Sequence, residues 1–266
     1  MVHYIFSYGL LQVLFSLWMI LAPHGIIKAS GVMEEAPFAR NSSHSAGQVI
    51  SHEPKDKNIL LVVGDVKELN RSERMLMARL KDQGYPVMLV NDQNDDPELT
   101  DDISLVIVSK TVNSLNVGIR FKDVSCGFLT WEDNLQMAQL MGYSENDGAE
   151  GTAWHVKGQQ WYVLPDGPVE LNTGLSGKLD IYTEPDEITY SPNESKVPES
   201  AIVVGELYPG DYHKTYYVFE EGAVLGDGSR AAGRRIYFGL YDDTFRLLTD
   251  TGLTLFDAAI LWGTER

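Results

Sequence analysis

Ile59-Leu60-Leu61-Val62-Val63 is an unbroken run of branched apolar residues that stops abruptly at Gly64-Asp65. A strand with one wet face alternates apolar and polar residues, whereas a continuous run needs apolar neighbours on both faces. Such a run belongs in the centre of a parallel sheet covered by helices, and it constrains whatever surrounds it. Residues 86–90 and 105–108 repeat the texture, and Gly127-Phe128-Leu129-Thr130 supplies a fourth strand. Between the first two, Asn70 and Glu73 have the spacing of a capping box. Leu76, Met77 and Leu80 then form a buried stripe, and Gly84 stands where a helix would end. A further helix is expected over 134–141. Strands alternating with helices at this spacing predict an α/β fold with a doubly wound, mostly parallel sheet. Extra β-strands are expected in the second half, at 161–164, 178–182, 201–207, 216–220 and 235–240. A closing helix buries Phe256, Ala259, Ile260 and Gly263.

Composition narrows the partners. The 266 residues are 44% apolar and 22% charged, enough for one packed core and incompatible with wholesale disorder. Twenty-one Lys and Arg against 38 Asp and Glu give a net charge of −17, which excludes nucleic acid as the expected partner. A single cysteine excludes an intrachain disulfide framework and any cysteine-rich zinc site. Residues 5–22 carry no Asp, Glu, Lys or Arg, and Ala29, Ser30 and Gly31 supply small residues for cleavage. Residues 1–30 therefore read as a signal peptide, with an uncleaved N-terminal anchor as the alternative, because positive charge before the run is limited to His3 and the amino terminus. Residues 31–57 read as a flexible linker and 58–266 as one α/β domain. The expected location is secreted or periplasmic, with membrane contact only through the N-terminal segment if it is retained. Asn41, Asn70 and Asn193 head Asn-x-Ser sequons, which matter only in a host that glycosylates.

The end of the chain is the most specific stretch. Gly233-Arg234-Arg235-Ile236-Tyr237-Phe238-Gly239-Leu240 is followed by Phe245-Arg246-Leu247-Leu248 and by Ala258-Ala259-Ile260-Leu261-Trp262. Earlier, Asp166-Gly167-Pro168-Val169 precedes Leu171-Asn172-Thr173-Gly174-Leu175-Ser176-Gly177. On these stretches, and on the order of elements over about residues 58–262, the chain resembles the class I glutamine amidotransferase-like (flavodoxin-like) superfamily and within it the trehalose-utilisation (ThuA-like) branch. The resemblance implies a Cys–His–Glu site with the Cys on a strained elbow after a strand. Laid on that elbow, Phe128-Leu129-Thr130-Trp131-Glu132 puts Trp131 or Glu132 at the nucleophile position, while Cys126 precedes the strand. The family's His-x-Glu falls on Tyr241-Asp242-Asp243, and Gly167 stands where a His often does. The catalytic pattern is unmatched, so the resemblance implies a catalytically degenerate domain.

Strand ends carry the remaining information, because open α/β sheets bind ligands there. The ligand-binding candidates are Asp65, Ser109, Lys110, Trp131, Glu132, Tyr241, Asp242 and Asp243, with Glu132, Asp242 and Asp65 as candidates for catalysis. One reading is a sugar whose hydroxyls meet the carboxylates while Trp131 or Tyr241 covers its apolar face. A second has two carboxylates acting on a glycosidic bond. A third has them holding a hard cation such as Ca²⁺. The plain alternative is that Asp65 and Asp243 cap helices. No cofactor and no metal site are expected: Asp65-Val66-Lys67-Glu68-Leu69 would repel a flavin phosphate. Asp92-Gln93-Asn94-Asp95-Asp96 fails as a calcium loop at Pro97 and Ile103. Gly222 to Gly233 reads as a flexible hairpin-like loop. Trp154, Trp161, Tyr162, Tyr208, Tyr212, Tyr216 and Tyr217 could form a sugar platform, or be core. Three functions follow: an exported, non-catalytic domain binding a small polar or carbohydrate ligand or a protein partner; a carbohydrate-processing enzyme; or a structural module of a cell-envelope assembly.

Overall fold

The computed structural model describes residues 57–93, 102–145, 154–192, 197–210 and 212–265. The predicted signal or anchor, nearly all of the linker, the Asn41 and Asn193 sequons and most of the 92–96 run lie outside the described residues. Along the chain the strands are β1 (Asn58–Val63), β2 (Val87–Asn91), β3 (Ile103–Val108), β4 (Gly127–Thr130), β5 (His155–Gly158) and β6 (Gln160–Val163). They continue with β7 (Gly177–Asp180), β8 (Asp186–Thr189), β9 (Ile202–Glu206), β10 (Lys214–Phe219) and β11 (Arg235–Phe238). The helices are α1 (Arg71–Asp82), α4 (Asp250–Thr264) and two single turns, α2 (Ser114–Val117) and α3 (Val169–Asn172).

Nine strands form one sheet in the order β2-β1-β3-β4-β11-β10-β9-β6-β7. From β2 to β11 every pairing is parallel. The added strands of the second half continue the same sheet antiparallel from β11 outward. The α/β architecture expected from the sequence is present, with a two-stranded sheet of β5 and β8 beside it.

The two-sided apolar runs explain the layering. Side chains alternate between faces, so Ile59, Leu61, Leu105, Ile107 and Leu129 pack with Leu76 and Leu80 of α1 and with Leu255, Phe256, Ala259 and Ile260 of α4. Leu60, Val62, Val106, Val108 and Phe128 point to the opposite face, against Val117, Phe121, Leu135, Met141 and Tyr143. Each such side chain contributes roughly 1.5–3 kcal/mol on burial. Helix α1 starts as its sequence predicts: the Asn70 side chain accepts from the Glu73 backbone N–H, and Glu73 accepts from that of Asn70.

The helix expected over 134–141 is not there. A 3₁₀ turn spans Asp133–Gln136, Met137 goes extended (ψ 146°), and Gly142 takes φ +76°. Leu135, Leu140 and Met141 are buried all the same, so the apolar spacing reports core contact and not helix. The 222–233 segment does form a hairpin-like loop through the Val224–Arg230 bridge. It is anchored, with Leu225 and Ala231 buried. Trp154, Trp161, Tyr216 and Tyr217 are core residues, which leaves only Tyr208 and Tyr212 of that aromatic set strongly exposed.

At the amino end of the parallel strands, the buried Arg235 guanidinium donates to the carbonyl oxygens of Lys122 (3.0 Å), Val124 (2.6 Å) and Cys126 (3.0 Å). Burial lowers its pKa, and these carbonyls replace water around the charge. Beside it, a Cβ on Gly127 would stand 2.0 Å from the Gly263 carbonyl oxygen, because the start of β4 touches the end of α4 backbone to backbone. Gly127→Ala is therefore expected to cost about 2–3 kcal/mol, read as a lower urea midpoint at unchanged m-value.

Candidate functional site

The parallel strands run in the flavodoxin-like order 2-1-3-4-5, which reverses between β1 and β3, and ligands of such sheets sit at the carboxyl ends beside that reversal. Here the chain fills the crevice itself. Glu73, only 3% exposed on the first turn of α1, accepts from Ser109 Oγ (2.7 Å) and Thr111 Oγ1 (2.5 Å) through Oε1. Its Oε2 takes the Asn70 backbone N–H at 2.9 Å. Thr111 Oγ1 in turn accepts from the Gly64 N–H at 3.0 Å. Ser109, expected to face a ligand, is thus 1% exposed and engaged with Glu73. Asp65 is exposed and accepts the Lys67 N–H (2.8 Å) in a local turn. β1 lies across β3 from β4, and Asp65 does not join the groups described next.

The charged cluster lies one strand further along. Lys110, leaving β3, donates to Glu132 Oε2 at 3.0 Å and to Asp133 Oδ1, both just past β4. Glu132 and Asp133 are buried, and the Lys110 side chain is 15% exposed. Burial pushes the Glu132 carboxyl up to about 7, against the pull of Lys110 and with the repulsion of Asp133. Burial also opposes the Lys110 charge, but the two carboxylates outweigh it and raise its pKa. One ammonium facing two carboxylates neutralises only one, so Glu132 is the group that takes up a proton. Asn134 completes its shell, donating to Oε1 from Nδ2 (2.9 Å) and from its backbone N–H (3.2 Å).

Trp131 is corrected by the structure. It is 2% exposed and packs edge-on against Phe256 of α4, on the helix side of the sheet, so it covers no ligand. Tyr241 stays partly exposed after β11, and its ring centroid lies 5.7 Å from Lys110 Nζ. Asp242 is exposed and accepts from Asn70 Nδ2 at 3.2 Å; partial desolvation and the nearby Asp243 and Glu73 raise its pKa despite that bond. Asp243 accepts the Ser72 N–H (2.9 Å) and pairs with Arg246 Nε (2.7 Å). Burial alone would raise its carboxyl, but these bonds hold it below its ordinary value. Asp243 thus adds to the cap of α1 from the turn after β11. Asn70, which heads the one sequon among the described residues, is likewise engaged at that cap.

The turn after β4 is relaxed. Glu132 has φ −75°, and Thr173 alone among the described non-glycine residues has positive φ. A nucleophile elbow needs strain at this point. Cys126 precedes β4 and lies at the opposite end of the strand, roughly 16 Å from Trp131 at about 3.3 Å per residue. Among the described residues no group of three or more His, Cys, Asp or Glu is placed to hold a metal. Two cavities lie away from the Lys110 cluster. One of about 320 Å³ is lined by Val66, Leu89, Val90, Asn91 and Gln93. The other, about 240 Å³, is lined by Ser125, Gly127, Glu221, Arg234 and Glu265.

Sequence reasoning missed Asp133 at this rim. It also missed His155 and Glu187, whose side chains meet (Nδ1–Oε2 2.8 Å) with the imidazole 4.8 Å from the Tyr241 ring. Asp133 directly follows Glu132 and was there to be counted. The His155–Glu187 contact joins residues 32 apart across β5 and β8, and no spacing announces it.

Fold and rim define the class: a mixed α/β domain of flavodoxin-like strand order whose strand ends carry paired charges. Solved structures similar to it include a glutamine amidotransferase from Thermotoga maritima, 10% identical, with a TM-score of 0.39, covering 69% of this chain and 74% of that one. Another, that of SMU.1228c, is 11% identical with a TM-score of 0.41, covering 78% of this chain and 100% of that one. No family model matches the chain, and no curated protein matches it in sequence.

The raised Glu132 pKa fixes a sign. Between the ordinary carboxyl value of 4.5 and about 7 the folded chain holds a proton that the unfolded chain has lost. Stability therefore falls as pH rises through that window, and Glu132 adds no slope above it. Glu132→Gln removes the slope, so the variant should gain roughly 1–3 kcal/mol on the wild type across the window. Urea denaturation at stepped pH measures this, and a constant difference would mean that Glu132 is ionised throughout.

Proposed function

We propose that this chain is an exported domain that binds a small hydroxyl-rich ligand, a sugar or similar polyol, at the rim formed by Lys110, Glu132, Asp133 and Tyr241. The observation that carries the reading is the meeting of a partly exposed ammonium, two buried carboxylates and a partly exposed tyrosine ring at the carboxyl ends of parallel strands. Carboxylates accept from hydroxyls, an ammonium donates to them, and a ring covers the apolar face of a pyranose. The sequence resemblance to the trehalose-utilisation branch supports a carbohydrate, and the apolar run at 5–22 supports export. Among the described residues no helix is long and apolar enough to cross a membrane. A second reading, carbohydrate processing with Glu132 as the proton-transferring group, is favoured by its pKa of about 7.

Titrating the purified chain with neutral mono- and disaccharides should give saturable amide shifts around Lys110 and Tyr241 in NMR spectra. Tyr241→Ala and Lys110→Met should each weaken binding about tenfold, equivalent to ~1.4 kcal/mol. A panel with no saturable shift removes the binding reading. In the enzymatic reading, Glu132→Gln retains binding but loses turnover of chromogenic glycosides.

A further inference from the structure

We propose that His155 and Glu187 form a general-base dyad at the same rim, and that the site hydrolyses acyl esters of hydroxyl-rich molecules by direct attack of water. This rests on the ligand-binding reading, since it needs a polar molecule seated against Tyr241. His155 opens β5 opposite Thr189 of β8, which puts Glu187 on its diagonal on the same face of that small sheet. The two side chains meet at 2.8 Å and keep 28% and 31% of their surface exposed. With Nδ1–H donated to the carboxylate, Nε2 carries the lone pair. The imidazole lies 4.8 Å from the Tyr241 ring, and Lys110 Nζ lies 5.7 Å from that same ring. Tyr241 therefore joins an oriented base to a cation. Lys110 has three N–H donors, of which Glu132 and Asp133 take two, and the third suits a ligand oxygen.

With the thiol at the far end of the sheet, water is the nucleophile. His155 Nε2 takes a proton from water as the water oxygen bonds to the ester carbonyl carbon. The carbonyl π pair moves onto its oxygen, where the Lys110 ammonium offsets the charge. Collapse of the adduct breaks the bond from the acyl carbon to the alcohol oxygen, and the imidazolium returns its proton to the leaving alkoxide. Ester and water become acid and alcohol, and the protein is left unchanged. Glu187 touches no reacting atom. It is a positioning residue that fixes the tautomer and steadies the imidazolium.

The test uses p-nitrophenyl acetate and a fully acetylated hexose as probes, with the full chain, His155→Ala and Glu187→Gln. The wild type should hydrolyse both faster than free imidazole at equal concentration. His155→Ala should lower kcat about 10²-fold, and Glu187→Gln should lower kcat by about tenfold with little change in KM, as loss of orientation requires. His155→Gln, with a polar side chain of similar reach, gives the same reading if the alanine variant does not fold. Wild-type rates no faster than imidazole, or full activity in a folded His155 variant, overturn the dyad. Hydrolysis of the p-nitrophenyl ester alone overturns the substrate class. Sugar binding is followed on the same samples by the shifts at Lys110, so loss of hydrolysis with binding intact separates this inference from the reading it rests on.

Discussion

Glu73 is the constraint on which the arrangement depends. A single buried carboxylate ends the capping box of α1 and ties that helix to the loop after β3 through two hydroxyls. An unpaired carboxylate at 3% exposure would be costly, so three donors converge on it and fix the loop, the helix and their separation together. The same anion occupies the place, at a helix start beside the sheet's reversal, where related topologies receive the anionic part of a ligand. The chain supplies its own negative charge there, and the usable surface shifts toward β4 and β11.

What remains at that surface is an unequal match of charges. Lys110 is shared between Glu132 and Asp133, and burial makes simultaneous ionisation of both carboxylates expensive. Proton occupancy of Glu132 settles the imbalance near neutrality. This local chemistry is independent of the amidotransferase pattern, whose thiol and strained turn do not stand at this rim.

Much of the scaffold was legible because it follows from local rules. Unbroken apolar runs gave the parallel strands, and the Asn70–Glu73 spacing gave the start of α1. The 134–141 segment misled because burial on one side of a 3₁₀ turn and a following loop imitates helical periodicity until Gly142 reverses the chain. At the rim, Lys110, Glu132 and Tyr241 were readable from their places after strands. Trp131 was not, since the direction of a side chain one residue past a strand depends on how the chain turns. Ser109 also pointed the wrong way, because its partner sits on α1, 36 residues earlier. The β5–β8 pairing was missed because both strands are four residues long and their apolar content is slight.

Asp242 and Asp243 follow Tyr241 directly and hold Asn70 and Ser72, the N-cap and the second residue of α1. The backbone that presents the tyrosine ring is thereby tied to the start of a twelve-residue helix packed on one face of the sheet. Whatever settles on the ring and displaces this stretch therefore works against two hydrogen bonds to the start of α1, while the Asn70–Glu73 box still closes the helix end.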